Sequence, residues 1–199
     1  MASAVDIANI ALSHLGADAV VAQLSPPDGS VEAGHCARFL PIARQTAIAS
    51  HSWSFARKRA TLALLTNDST QWAYKYQIPA DCLRPRKILA ADELDAPERN
   101  GAPFEREGDA LYTDREDAVL IYTRDITDTT RFTADFTAGL GMLLAGYLAG
   151  PIIKGRESIT IGDAWTKAGL NALRTAAALD ASAAQESSAY TPPSITARA

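Results

Sequence analysis

Between His51 and Leu89, in HSWSFARKRATLALLTNDSTQWAYKYQIPADCLRPRKIL, the helical spacing of apolar residues gives way to alternation. Trp72, Tyr74 and Tyr76 stand at period two around Ala73 and Lys75, which predicts a strand, and Ile78-Pro79 predicts an extended exit from it. Trp53, Phe55, Trp72, Tyr74, Tyr76 and Pro79 concentrate aromatic and rigid surface in a chain that is 7% aromatic. A buried Trp or Tyr contributes about 150 to 250 Å², so this stretch is the expected hydrophobic keystone between the segments on either side of it. The period turns helical again from Thr130. Helical residues on both sides of a strand block predict a mainly α fold with an inserted small antiparallel β module (α+β). The expected layout is a four-helix bundle-like domain from residues 1–58 and 126–180, the β module at 59–125, and a disordered, extended C-terminal tail at 181–199.

The first expected helix covers Ser3 to Leu15, with Ser3 as N-cap and Gly16 as its stop. Ser25-Pro26-Pro27-Asp28-Gly29 is turn material, and Ser30 caps a second helix running towards Trp53. Pro41 lies inside that helix and predicts a bend. Arg59 to Leu65 reads as one strand, followed by an Asn67-Asp68-Ser69 turn. The Gly108-Asp109 pair between FERE and ALYT is a hairpin signal, and AVLIYT at 118–123 is a nearly continuous apolar strand, expected at the centre of the sheet. A third helix carries Phe132, Phe136, Leu140, Leu143, Leu144, Tyr147 and Leu148, with Gly139, Gly141 and Gly146 between them. Each glycine costs up to about 1 kcal/mol in a helix, so close approach of a neighbouring helix is the expected compensation. Gly150-Pro151 marks a turn or kink, and a last helix from about Ile159 to Ala184 is expected to face Ile161, Ala164, Trp165, Ala168, Leu170, Leu173, Ala177 and Leu179 inward. The closing AAQESSAYTPPSITARA has too little apolar surface to order itself alone.

A chain of 199 residues can bury a core without a staple. Cys36 and Cys82 lie far apart with no second ligand at metal spacing, so both read as small core thiols of an intracellular protein, with no cofactor and no metal. The start of the chain lacks the basic region of a signal peptide, and no run of eighteen uninterrupted apolar residues predicts a membrane span. A net charge of -4 argues against a protein whose main work is neutralising phosphates.

Cys82 is the one candidate nucleophile, but His14, His35 and His51 all fall on expected helices at no recognisable spacing from it. Asp92, Glu93, Asp95 and Glu98 lack the ligand alternation and central glycine of a calcium loop and read as solvated. Arg57, Lys58 and Arg59, with Arg84, Arg86 and Lys87, form two basic clusters around the aromatic strands; they read as edge protection or as a partner surface. No nucleophile, base and orienting group come together, so the expectation is a protein that is not an enzyme.

Trp53-x-Phe55 near the end of the second helix, followed by Trp72, Tyr76, Pro79, Asp81, Cys82, Leu83 and Arg84 as W-x-x-x-Y-x-x-P-x-D-C-L-R, resembles the head-to-tail adaptor family of tailed bacteriophages, of the tail tubular protein A type. The likeness continues through Phe104, Leu111-Tyr112, Tyr122 and the F-x-x-x-F of Phe132 and Phe136 to the small-residue stretch at Leu144 to Ala149. The resemblance implies a ring, twelve-fold by analogy, beneath the portal protein. Such a ring closes the DNA exit channel and offers a platform to a downstream tail or nozzle protein, while genomic DNA passes without specific binding. It implies a virion protein of the head-tail junction, assembled in the bacterial cytoplasm, with no membrane partner. The tail would order on the portal, with Tyr190, Ile195 and Arg198 as its anchors; nineteen extended residues reach roughly 60 Å. Within the block, Pro79 is expected to set an extended backbone, Asp81 to bond backbone N–H groups, and Cys82 and Leu83 to fill core. A small DNA-binding packaging protein is the alternative.

Overall fold

A computed structural model describes residues 2–18, 20–89 and 101–183. The acidic loop residues Asp92, Glu93, Asp95 and Glu98, and the proposed anchors Tyr190, Ile195 and Arg198, lie outside the described residues.

Helix α1 spans Ala4–His14. Ser3 Oγ accepts from Asp6 N while the Asp6 carboxylate accepts from Ser3 N, so two N–H groups at the helix start are satisfied reciprocally. Gly16, at φ 68, ends the segment. Helix α2 spans Val31–Ser50 behind its Ser30 cap and continues unbroken through Pro41, whose ring sits on the exposed face. Helix α3 spans Ala134–Ile153 behind Thr133, so Phe132 precedes the helix, and Pro151 is carried in its last turn. Lys154 (φ 57) and Gly155 (φ 91) reverse the chain into α4, Glu157–Ala183.

Helix α3 packs against each of the other three helices, most extensively α4. That position explains its composition: α3 is long and apolar enough to cross a membrane, with a mean hydropathy of 1.6, and ten of its residues are buried among neighbouring helices. The glycines make the close approach that their cost demanded. A Cβ on Gly139 would stand 2.9 Å from Leu173, one on Gly146 2.8 Å from the Thr166 backbone nitrogen, and one on Gly169 of α4 2.5 Å from the Leu143 nitrogen. Gly141 makes the same kind of room for Ile10 of α1. On α4 the buried large or methyl side chains are Leu173 and Ala176, whereas Ala164 is exposed and Leu179 is 54% exposed, contrary to the inward positions expected for them.

All described strands fall between Arg57 and Arg124, but they form two antiparallel sheets rather than one. The first has the order β1 (Arg57–Thr61), β7 (Val119–Arg124), β4 (Cys82–Leu89); the second runs β2 (Ala63–Leu65), β3 (Tyr74–Gln77), β6 (Ala110–Thr113), β5 (Glu105–Glu107). The single strand expected from Arg59 to Leu65 is therefore two strands in different sheets. Leu62 is the switch: it is buried and its N–H donates to Ala118 O, leaving the first ladder on one side and the second on the other. β3 begins at Tyr74, so Trp72 stands before it and donates from Nε1 to Glu105 Oε2 at 2.9 Å. The expected hairpin joins β5 to β6, with Gly108 at φ 55 in the first central position of its turn. β7 is the central strand of its sheet, buried on both faces from Val119 to Thr123. Tyr76, Ile88, Leu111, Leu120 and Tyr122, drawn from both sheets, share one core.

Candidate functional site

Pro79 to Arg84, with the contacts around it, is where the helical and β parts meet. The Pro79 carbonyl accepts from Cys82 N at 2.9 Å, so the block is a tight turn from β3 of one sheet to β4 of the other. Ile78 and Pro79 lead out of β3 and the chain reverses at Ala80 and Asp81, so Pro79 opens the turn and its own missing N–H costs no ladder bond there.

Asp81 corrects one expectation. Its carboxylate takes side-chain donors, Lys58 Nζ at 2.8 Å and Tyr122 Oη at 2.7 Å. Lys58 and Tyr122 face each other across the β1–β7 pair, with the ammonium 5.9 Å from the ring centroid. Burial pushes the Asp81 carboxyl up, but the two hydrogen bonds outweigh it and hold it below its ordinary value. Lys58 is raised, first by its bond to Asp81; Tyr122 is raised by burial and by donating to the same carboxylate. All three shifts favour one state at neutral pH: ammonium, carboxylate and neutral phenol. The second sheet repeats the device. Lys75 faces Tyr112 across β3–β6, both bond Asp68 at 2.8 and 2.9 Å, and Lys75 lies 5.3 Å from the ring.

Cys82 and Leu83 are half-buried and point into different cores, Cys82 towards the β core and Leu83 towards the helical one. Burial raises the Cys82 thiol to about 11, and Cys36 likewise, so both stay protonated at neutral pH. Arg84 and Arg86 reach across to the end of α2. Arg84 Nη1 donates to Ala49 O at 3.2 Å, while Arg86 donates to Ala49 O, to His51 O, and through Nε to Thr123 Oγ1 at 2.8 Å. Helix α2 has no basic residue in its own last turn, so two cations from β4 satisfy carbonyls that the helix leaves open. Nearby, Arg44 Nη2 and Gln45 Nε2 bind Asp125, whose N–H donates to Asp81 O.

The two aromatic motifs meet on the helical side of this joint. Trp53 is 1% exposed, donates from Nε1 to Ala47 O at 3.0 Å, and packs its ring 4.9 Å from Phe136 and 5.8 Å from Phe55. Phe55 in turn contacts Phe132 and Phe136. Tyr76 is buried in the β core, its hydroxyl donating to Arg115 O. Asp180 of α4 accepts from Ser54 N and Oγ and lies 3.9 Å from His51 Nε2. Burial and Arg86 hold the His51 imidazole below its ordinary range, against the pull of Asp180. Sequence reasoning missed Asp180, Asp125, Arg44 and the Lys–Asp–Tyr triads.

The residues that looked like a motif thus form a structural joint, and the only thiol in it is protonated. Among the described residues no group of three His, Cys, Asp or Glu could hold a metal ion. Compared with known proteins, the chain matches no family model and no curated sequence.

Proposed function

We propose that this chain is a structural head-to-tail adaptor of a tailed bacteriophage. It assembles as a ring beneath the portal, twelve-fold in number, closes the DNA exit channel, and presents a platform to a tail or nozzle protein. In that role it resides at the head-tail junction of the virion after assembly in the host cytoplasm. The helices, grouped as a four-helix bundle-like unit around α3, form the ring body, and residues 181–199, through Tyr190, Ile195 and Arg198, grip the portal. The observation that carries the reading is the coincidence of the resemblance with one physical joint. Trp53, Phe55, Asp81, Leu83 and Arg84 connect α2, the β1–β7–β4 sheet and the aromatic start of α3. A joint of this kind transmits load between parts rather than performing chemistry.

The alternative, a DNA-binding packaging protein, loses ground at the same place. Lys58, Arg84 and Arg86 direct their charge to Asp81 and to helix carbonyls, leaving less of the two basic clusters for phosphates.

The test is the mass in solution of the full-length chain and of a version ending at Ala183, each alone and mixed with the portal protein encoded beside it. Ending at Ala183 keeps Asp180 and its bonds to Ser54. Full-length protein joining the portal ring in a fixed ratio, with the shorter chain left free, is the expected outcome. Indifference of both lengths to the portal would remove the reading.

A further inference from the structure

Arg124 is the arginine that the joint leaves unpaired. It closes β7, half-buried, and its Nε is shut off from solvent with no hydrogen-bond partner. The arginines around it are all engaged: Arg44 on Asp125, Arg84 and Arg86 on the end of α2, and Arg131 on Asp128. A guanidinium cannot shed its charge and carries five donors, so a buried Nε without an acceptor is destabilising unless something else supplies one. Three buried side-chain nitrogens among the described residues lack a partner, His35 Nδ1, Arg44 Nε and Arg124 Nε. Two of the three therefore belong to the ion-pair partner and to the chain neighbour of Asp125.

Where the chain leaves β7 it walls a polar hollow of about 220 Å³, lined by Arg124, Asp125, Ile126, Thr127, Asp128 and Arg131. At about 30 Å³ per water in the liquid, that is room for a small ion and a few waters. Both aspartates in the wall are already neutralised. Asp125 takes Arg44 Nη2 on its two oxygens, at 2.9 and 3.0 Å, and Gln45 Nε2 at 3.1 Å. Asp128 takes Thr130 N, Thr130 Oγ1 and Arg131 Nε. Three arginines set against two aspartates leave one positive charge, and it sits on Arg124. Thr127, Asp128 and Arg131 are exposed at the rim, so the hollow is open to solvent.

We propose that this hollow binds a small oxyanion, a carboxylate or a phosphate, on the Arg124 guanidinium. Two oxygens of such a group match the parallel N–H donors of an arginine fork, a match that chloride cannot make. The site stands apart from the adaptor reading and survives its failure.

The test follows the Nε–H resonances of the full-length protein, isotope-labelled on arginine, in proton–nitrogen correlation spectra. Sodium acetate and sodium phosphate are titrated separately, each against sodium chloride at equal ionic strength. The Arg124 resonance is expected to move and to saturate with acetate, with phosphate or with both, while chloride leaves it in place; which anion acts names the preferred group. Thr127→Glu, at an exposed position on the rim, adds a carboxylate beside the site and is expected to weaken the apparent affinity roughly fivefold or more. An Arg124 resonance indifferent to both anions means that water alone fills the hollow and overturns the proposal. A shift that merely tracks that of the exposed Arg38, or a titration that folded Thr127→Glu leaves unchanged, overturns it too.

Discussion

Trp53 shows how much one side chain can hold. Its ring fills the gap between α2 and α3, and its Nε1 closes a carbonyl near the end of α2, so Trp53→Ala removes packing and a hydrogen bond together. The expected loss is about 3 to 5 kcal/mol, read from urea unfolding. Trp53→Phe keeps most of the apolar surface and leaves Ala47 O unpaired, at about 1 kcal/mol. Asp81 makes a prediction in pH. Because its folded carboxyl is held below the ordinary value of 3.8, its contribution is complete above that pH and disappears as pH falls through the lower folded value. Asp81→Asn therefore flattens the acid limb of a stability–pH profile, and it softens the alkaline limb as well, because Lys58 and Tyr122 lose the carboxylate bond that helps to raise them. For the cysteines, thiols raised to about 11 are thiolate in only about one molecule in a thousand at pH 8. Iodoacetamide is expected to label native Cys36 and Cys82 far more slowly than the unfolded chain, and equal rates would contradict the burial that raises them.

Among the helices, the glycines divide into two kinds that the sequence does not distinguish. Gly169→Ala drives a Cβ into the backbone of Leu143, so the helices must separate; the clash, about 1 to 3 kcal/mol, exceeds the gain of up to about 1 kcal/mol in helix propensity. Gly34→Ala, in α2, meets nothing within 4 Å and is expected to stabilise by about 0.5 to 1 kcal/mol. Thermal melts of the two variants should move in opposite directions. The strands hold a comparable lesson. Gly108-Asp109 and the apolar run of β7 were readable because hairpins and central strands leave local signatures. The division of Arg57–Leu65 between two sheets was not, because Leu62 has its partner in Ala118, far along the chain.

Across the molecule, the decisive contacts join segments distant in sequence. Arg86 serves the end of α2 from β4, and Arg86→Leu removes its charge-assisted bonds to Ala49, His51 and Thr123. The expected cost is about 1.5 to 3 kcal/mol, accompanied by faster amide exchange in the last turn of α2 than in α1. Ser54 likewise depends on Asp180, 126 residues away. The period of most segments, the caps at Ser3 and Ser30, and the hairpin were legible in the amino-acid order, since those depend on neighbours within one or two turns of chain. Folding in three dimensions was needed to divide the strands into two sheets, to fasten the Pro79–Arg84 turn to α2, and to give Asp81 to Lys58 and Tyr122. Each of those is a pairing between distant segments, and a linear pattern records the partner's chemistry without its address.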